Sequence, residues 1–243
     1  MNDFSYDILD LLKKYDNDTN AALAGENCPQ CLYAFSPLRE NLFEWVEFES
    51  DARILQIGSD YGSFTGILAE RAKEVVVLDP RDENLEVNRI RHGVRENVTF
   101  VRGDLCDQVQ WKKEELAKLK AESDGSAAIG VAGRNAELFK VYKPKAGSGS
   151  AEAAVHAVKE IMFQPFDCIV LGTFLSQCKK EEAADLLREA ADYLKPGGFL
   201  MLEIGHAQGE DLRKLIKDSQ KYTPAEVIRD LPGKDRVVKC QLK

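Results

Sequence analysis

The sequence contains no apolar run that approaches the roughly 20 residues of a membrane-spanning helix. Its first residues are acidic and lack the basic and apolar stretches of a secretory signal. The net charge is −8, so the surface as a whole does not attract phosphate backbones. These absences predict a cytoplasmic protein with no membrane partner, and they disfavour a nucleic-acid substrate.

Cysteine and histidine, the usual zinc ligands, are also scarce. Without a secretory signal, the six cysteines are expected to be reduced thiols. Cys28 and Cys31 have the spacing of half a zinc site, but zinc needs about four ligands, and no second pair or nearby histidine supplies them. We interpret the pair as part of a turn with two half-buried side chains and expect no metal. A zinc site and a redox role remain the alternatives.

What is present is a regular alternation of short apolar strands and amphipathic helices. The strands are predicted near 52–57, 74–79, 98–102, 167–172, 198–204, 225–230 and 235–242, and the helices near 63–72, 82–92, 180–194 and 209–220. This order predicts an α/β fold of the Rossmann-like, doubly wound type. Its sheet has seven strands, mostly parallel, with the last strand antiparallel. A ligand is expected at the carboxyl ends of the strands.

Two segments lie outside this alternation. Residues 1–50 are predicted to form a helical N-terminal cap, with helices over 4–15 and 38–48 and a polar loop between them. The core domain would then occupy 51–243, with an insertion at about 107–164 that is too long for an ordinary connection. The insertion is predicted to contain a hairpin near 127–142. It could shape the substrate site or mediate a homodimer, and both roles stay open.

The segment from Arg53 to Asp79 carries the strongest functional signal. It predicts a buried strand, a glycine turn, a helix and a second strand that ends in an acidic residue. Gly58 and Gly62 let the backbone approach a ligand without an intervening Cβ. Asp79 follows the first glycine by about 20 residues, where a carboxylate can accept hydrogen bonds from ribose hydroxyls. A helix N-cap is the alternative role of Asp79.

Five segments together resemble the class I S-adenosylmethionine (SAM) dependent methyltransferases. They are Ile54–Gly62, Val76–Pro80, Val101–Leu105, Phe166–Leu171 and Leu194–Leu202, the last with a Leu-Lys-Pro-Gly-Gly turn before a strand. The resemblance implies SAM as cofactor. The cofactor-binding positions that it implies are Gln56, Gly58, Ser59, Asp60, Gly62, Asp79, Pro80, Asp104, Leu105 and Gly172.

The implied roles differ along this set. The turn that contains Gly58 would line the methionine moiety and the ribose, and Asp79 would hold the ribose hydroxyls. Asp104, with the backbone of Leu105, would face the adenine, although a turn residue is the other interpretation. Gly172 would lie beside the sulfonium.

Two positions depart from the family pattern. Gln56 stands where these enzymes usually carry a carboxylate, and Asp60 stands where they usually carry a glycine. Asp60 could balance the cationic cofactor, because Asp tolerates unusual backbone angles better than most residues. The same departures keep open a SAM-binding module without transfer activity that acts as a partner or regulator. An NAD-dependent oxidoreductase is a further alternative, although the second and third glycines of a dinucleotide fingerprint are replaced.

The C-terminal part, from Leu202 to Val238, is similar to the release-factor glutamine methyltransferases. Those enzymes carry Asn-Pro-Pro-Tyr after the fourth strand, whereas this chain reads Gly172-Thr-Phe-Leu175. The glutamine substrate is therefore not carried over. The segment from Tyr33 to Trp45 is similar to a region that precedes the methyltransferase core in some bacterial glycan-biosynthesis proteins.

The sequence thus predicts a SAM-dependent methyltransferase that acts on an oxygen or nitrogen of a small-molecule or glycan-pathway acceptor. His206 follows the fifth strand and is a candidate general base, with an exposed loop histidine as the other interpretation. Tyr33, Ser36 and Arg39 could reach the substrate or the SAM carboxylate, and packing or surface roles are the alternative for all three. His92 ends a charged helix and is interpreted as a cation that the helix dipole stabilises.

Overall fold

The computed structural model describes residues 7–26, 28–105, 141–142, 161–172 and 180–243. The strands are β1 (Arg53–Ile57), β2 (Glu74–Asp79), β3 (Val98–Arg102), β4 (Val141–Tyr142), β5 (Phe166–Leu171), β6 (Leu194–Glu203), β7 (Glu226–Arg229) and β8 (Asp235–Gln241). The helices are α1 (Ile8–Lys14), α2 (Thr19–Gly25), α3 (Pro29–Phe35), α4 (Thr65–Arg71), α5 (Asp82–His92), α6 (Lys180–Ala190) and α7 (Gly209–Ser219), with 3-10 helices at Pro37–Leu42 and Asp60–Gly62.

All the strands belong to one sheet with the order β4-β3-β2-β1-β5-β6-β8-β7. Neighbouring strands from β3 to β6 are parallel, and β8 runs antiparallel to both β6 and β7. The predicted seven-stranded, doubly wound sheet with an antiparallel last strand is confirmed. The two-residue strand β4 adds an antiparallel edge beside β3.

The central strands form because they are apolar and covered on both faces. In β2, the run Val75–Leu78 is fully buried. One face packs against α6 and α7, through residues such as Leu187, Leu212 and Ile216. The other face packs against α4 and α5, through residues such as Leu68 and Leu85. Helices on both faces leave the carboxyl ends of the parallel strands as the open edge.

The N-terminal cap differs from its prediction in two places. The expected polar loop contains α2, because the Asp18 carboxylate caps the free N–H groups of Asn20 and Ala21. The helix expected over 38–48 is wrong, since only a 3-10 helix forms and it ends at Leu42. The guanidinium of Arg71 donates to the carbonyl oxygens of Glu44 and Val46. These carbonyls thus have a side-chain partner in place of the backbone N–H that a helix would provide.

The cap packs on the core through a third apolar cluster, in which Leu12, Cys31 and Phe35 meet Val87 of α5. The division at residue 50 between cap and core stays a prediction. So does the inserted arm, because residues 106–140 and 143–160, with most of the predicted hairpin, lie outside the described residues. Over the described ranges, no helix is long and apolar enough to cross a membrane.

Candidate functional site

The turn after β1 leaves room for a ligand. Gly58 has a φ of +77°, which only glycine adopts without strain, and a Cβ placed on it would meet no atom within 4 Å. The Gly58 N–H donates to the carbonyl of Leu78, so the turn is fixed to the end of β2. The next residue, Ser59, is fully buried, and its Oγ has no hydrogen-bond partner among the described residues. Open space at Gly58 therefore lies next to a buried hydroxyl for which the described part of the chain offers no hydrogen-bond partner.

Asp79 at the end of β2 faces this turn from within the protein. Its carboxylate is 1% exposed and accepts from the Ser59 N–H at 2.7 Å, the Arg81 N–H at 2.8 Å and the Asn84 amide at 3.0 Å. The Arg81 guanidinium also lies near this carboxylate, with its Nε 3.8 Å from Oδ1. Asp79 therefore holds the glycine turn in place, and its carboxylate, with about four acceptor positions, has at most one left.

Gln56 lies behind the turn. It is fully buried, and its Oε1 accepts from the Thr65 hydroxyl at 2.9 Å, which itself accepts from the Asn88 amide at 2.7 Å. Its Nε2 donates to the carbonyls of Gly58 and Ser59 at 3.4 Å. The amide thus supports the turn from the side of α4. Such a role needs a donor and an acceptor together, which a carboxylate would not supply.

The next residues form a strained loop. Asp60 and Tyr61 have φ angles of +44° and +58°, unusual for residues with bulky side chains. Their carbonyl oxygens are held by the protein, that of Asp60 by the Ser63 hydroxyl and that of Tyr61 by Arg91 at 2.6 Å. The surrounding helices therefore impose this backbone.

The third carbonyl of the loop, that of Gly62, accepts from His92 Nε2 at 2.9 Å. Burial, together with the charge of Arg91, lowers the pKa of His92 from 6.5 to about 4. His92 is therefore neutral near pH 7 and donates a hydrogen bond. Its interpretation as a dipole-favoured cation is wrong, because α5 buries its end against the loop.

A buried ion triad closes one side of the crevice. Arg39 of the cap donates to Glu203 at the end of β6 at 2.6 Å and to Asp60 at 3.2 Å. Its guanidinium also lies over the rings of Tyr33 and Phe64, with centroid distances of 4.1 and 4.6 Å. The three charged side chains are only 11–12% exposed. They bring two carboxylates and one cation to the carboxyl ends of β1 and β6.

Glu203 was not predicted as a site residue. Burial raises its pKa to about 7, although the neighbouring Arg39 opposes the rise. A group with this pKa can hold or release a proton near neutral pH. The position of Glu203 at the end of a core strand was the available sequence signal.

Asp60 also reaches Gly172, which follows β5. Gly172 is buried, and a Cβ placed on it would lie 2.4 Å from Asp60 Oδ2. The absence of a side chain at Gly172 thus makes room for the Asp60 carboxylate. The structure brings together the ends of β1, β5 and β6, as the fold predicts for a site at this edge.

The other predicted residues are placed less closely. Gly62 is buried with a φ of +85°, and Leu105 belongs to the core. Asp104 is partly exposed, Pro80 is exposed, and His206 is exposed in a turn beyond β6. A cavity of about 380 Å³ between α1 and α5, lined by Leu9, Asp82, Glu83, Leu85, Glu86 and Arg89, involves none of the predicted site residues. The assignment of each residue to a ligand stays a prediction.

The side chains at the carboxyl ends of the strands form two halves of a site, and the halves differ in their chemistry. One half has the open side of Gly58, the Ser59 hydroxyl and the Asp79 carboxylate, which suit a neutral ligand rich in hydroxyl groups. The other half has Arg39 with Asp60 and Glu203, which suit a zwitterion because each of its charges finds an opposite charge. Across the described residues, no group of three or more His, Cys, Asp or Glu side chains could hold a metal ion.

Comparison with known proteins gives relatives of one kind. A family described as "Methyltransferase domain" matches residues 30–227. The release factor glutamine methyltransferase of Nitratidesulfovibrio vulgaris is 28% identical over 193 residues, which cover 77% of this chain and 56% of that protein. A probable cobalt-precorrin-6B C(15)-methyltransferase of Methanothermobacter thermautotrophicus is 27% identical over 118 residues, covering 47% of this chain and 57% of that protein. The chain spans about half the length of the curated relatives it matches.

Solved structures agree on the fold. Magnesium protoporphyrin IX methyltransferase from Synechocystis PCC 6803, solved with bound SAM, superposes over 100% of both chains with a TM-score of 0.53 and 11% identity. A TehB-like SAM-dependent methyltransferase from Corynebacterium glutamicum gives a TM-score of 0.51 at 13% identity, covering 96% of this chain and 98% of that chain. At such identities the likeness concerns the fold alone.

Proposed function

This chain belongs to the class I SAM-dependent methyltransferase family, and on that premise we propose that it moves a methyl group from SAM to an oxygen or nitrogen of a small-molecule acceptor, which includes glycan precursors. The observation that carries the proposal is the open side of Gly58 beside the buried carboxylate of Asp79. Family membership gives no support to the NAD-dependent alternative.

The residues at the glycine turn fit the nucleoside half of SAM. The remaining acceptor position of Asp79 would take a ribose hydroxyl in place of the Arg81 guanidinium 3.8 Å away. The buried Ser59 Oγ, which has no hydrogen-bond partner among the described residues, would gain one from the ligand. Asp104 and Leu105, which follow β3, would face the adenine. Pro80 and Gly62 would border the same region.

The ion triad fits the amino-acid half. In our proposal, Arg39 holds the ligand carboxylate, and Asp60 balances the ammonium and the sulfonium charges. The family usually has a glycine where Asp60 stands. A carboxylate at this place supplies the negative charge that Gln56, buried in its own hydrogen-bond network, does not.

Catalysis would depend on positioning. Bound SAM supplies an activated methyl group, so the chain's main task is to align the acceptor with it and to exclude water. We propose Glu203, at the carboxyl end of β6 beside Arg39, as the group that takes the acceptor's proton, since its pKa of about 7 suits both proton states at neutral pH. His206 stays the second candidate for this role.

Ligand binding tests the proposal directly. Titration calorimetry with S-adenosylhomocysteine and with 5′-methylthioadenosine, which lacks the amino-acid half, is expected to give binding of both. Arg39→Ala should weaken only the first, by roughly tenfold or more, the loss expected for one charge-assisted bond. Arg39→Lys is the matched control that keeps the charge. Failure of the wild-type chain to bind S-adenosylhomocysteine would contradict the proposal.

One observation favours a second function, a SAM-binding module without transfer activity. The Asp60 carboxylate lies against Gly172, where the family resemblance puts the reactive sulfonium. A methyl-release assay with labelled SAM separates the two functions, since a module binds SAM and transfers nothing to any acceptor. The homodimer, the absence of a nucleic-acid partner and the cytoplasmic location stay predictions.

A further inference from the structure

Cys28 and Cys31 lie together at the start of α3, away from the proposed cofactor site. Cys28 precedes the helix, and its Sγ accepts a hydrogen bond from the Cys31 N–H at 3.2 Å. Cys28 is the N-cap of α3 and has an extended backbone, and its side chain turns back over the first helical turn to reach the Cys31 N–H. The fold therefore puts both sulfur atoms on one side of the turn.

The two thiols also contact each other. Burial and the hydrogen bond with the Cys28 side chain together raise the pKa of Cys31 to about 12. Cys28 keeps 6% exposure, whereas Cys31 is fully buried. An external reagent therefore meets Cys28 first, and Cys31 stands behind it.

Both cysteines are free thiols. The Cys28 Sγ lies 3.2 Å from the Cys31 backbone nitrogen, so the two side chains start from adjacent positions. A disulfide, with its Cβ atoms about 4 Å apart, would then require an adjustment confined to the first turn of α3. Cys168 and Cys240 are also free and buried, but they lie on β5 and β8 in the core of the sheet, so they offer a contrast within the same chain.

We propose that Cys28 and Cys31 form a redox-active dithiol site that exchanges with low-molecular-weight disulfides of the glutathione type. The Cys28 sulfur, as thiolate, attacks one sulfur of the external disulfide, breaks its S–S bond and releases one thiol. The Cys31 thiol then loses its proton and attacks the mixed disulfide at Cys28, which releases the second thiol. Two protein thiols are oxidised to one disulfide, one external disulfide is reduced to two thiols, and the two protons pass to the released thiols.

A metal site is the competing use of this pair. Zinc needs about four ligands, and within the described ranges no third His, Cys, Asp or Glu joins the two cysteines in a group that could hold a metal. Two adjacent thiols without further ligands suit exchange with a disulfide. This inference is independent of the proposed methyl transfer.

The full chain can be tested with glutathione as the probe. It is equilibrated in buffers of increasing oxidised-to-reduced glutathione ratio, quenched in acid, alkylated and mapped by peptide mass spectrometry. We expect the peptide with Cys28 and Cys31 to lose both alkylation sites and to form one internal disulfide, which is reversed by excess reduced glutathione. Cys168 and Cys240 should stay alkylatable after unfolding at every ratio.

Two variants assign the roles of the sulfur atoms. Cys31→Ala should stop at a mixed disulfide of Cys28 with one glutathione, because the second attack is lost. Cys28→Ser keeps a capping side chain on α3, and Cys31 should then remain a free thiol. Circular dichroism confirms that each variant is folded. The proposal is overturned if wild-type Cys28 and Cys31 both stay alkylatable in oxidised glutathione, or if they pair only with other cysteines.

Discussion

At the residue scale, Asp79 serves the fold as well as the site. Its carboxylate accepts hydrogen bonds from Ser59, Arg81 and Asn84 while it is nearly inaccessible to water. Loss of the carboxylate leaves buried donors without an acceptor, and each such group costs about 1–3 kcal/mol. A test of its ligand role must therefore separate affinity from stability.

We expect Asp79→Ala to lower the free energy of unfolding by about 3 kcal/mol and to weaken binding of S-adenosylhomocysteine by at least about 1 kcal/mol. Urea denaturation measures the first effect, and calorimetry measures the second. Asn84→Ala is the matched control, because it removes one donor to Asp79 without touching the proposed ligand. It should cost about 1 kcal/mol of stability and leave the affinity unchanged. Unchanged affinity in folded Asp79→Ala would remove Asp79 from the site.

His92 makes the stability depend on pH. Its pKa is about 4 in the folded chain against 6.5 for a free side chain, so protons bind preferentially to the unfolded chain between these values. Stability linked to His92 is present above pH 6.5 and is lost as the pH falls toward 4, by up to about 3 kcal/mol. The raised pKa of Glu203, about 7, acts in the opposite direction over pH 7 to 4.5.

The variant His92→Gln isolates this effect because Gln keeps an N–H donor for the Gly62 carbonyl. We expect the stability difference between wild type and variant to shrink as the pH is lowered from 7 to 4.5, measured by urea denaturation at several pH values. The contribution of Glu203 is the same in both chains and cancels. A stability difference that does not change with pH would show that burial does not lower the pKa of His92.

At the scale of elements, strands and helices of the core were predictable because each carries a local signal. The run Val75–Leu78 is apolar throughout, and α5 has the bounds Asp82–His92 that the sequence predicted. The cap was less predictable, because its short helices depend on capping by Asp18 and on the contact between Arg71 and the segment after Leu42. These are single contacts without a periodic pattern.

The site was predictable to the same limited extent. The glycine turn and Asp79 follow from their spacing, whereas the partner of Arg39 does not, since Arg39 and Glu203 lie 164 positions apart. The sequence shows that Gln56 replaces the carboxylate usual in the family. Only the structure shows that its amide joins Thr65 to the carbonyls of the turn. Long-range polar networks leave no periodic trace in a sequence.

The contact between the β1 turn and the end of β5 yields a third prediction. In Gly172→Ala, the new Cβ would lie 2.4 Å from Asp60 Oδ2, so the carboxylate that pairs with Arg39 must shift. We expect a loss of about 1–3 kcal/mol, the range for overpacking a filled site. Thermal and urea denaturation measure it.

A double-mutant cycle attributes that loss to the contact. Asp60→Gly removes the carboxylate and suits a positive φ, so Gly172→Ala should cost little in this background. The expected coupling is about 1–2 kcal/mol. Additive effects of the two changes would show that Gly172 is constrained by other neighbours, such as the carbonyl of Gly58.

At the scale of the whole molecule, the cap and the sheet are joined by charge as well as by apolar packing. Arg39 lies between Tyr33 of the cap and Phe64 of the core and pairs with acids at the ends of β1 and β6. Removal of one partner from such a buried arrangement leaves uncompensated charge, which costs about 3–5 kcal/mol. Arg39 would thus hold the N-terminal cap at the crevice and also contact the ligand bound there.

We therefore expect Arg39→Ala to lower the free energy of unfolding by about 3 kcal/mol or more and to speed hydrogen exchange across residues 28–42 in the cap. Arg213→Ala is the control, because its ion pair with Glu210 is long and exposed and should matter by less than about 0.5 kcal/mol. Asp60→Asn, added to Arg39→Ala, should recover part of the loss because it removes a carboxylate that has lost its ion pair with Arg39. If exchange in the cap stays slow while the core is destabilised, the cap is held by its apolar contacts with α5, and Arg39 acts on the crevice alone.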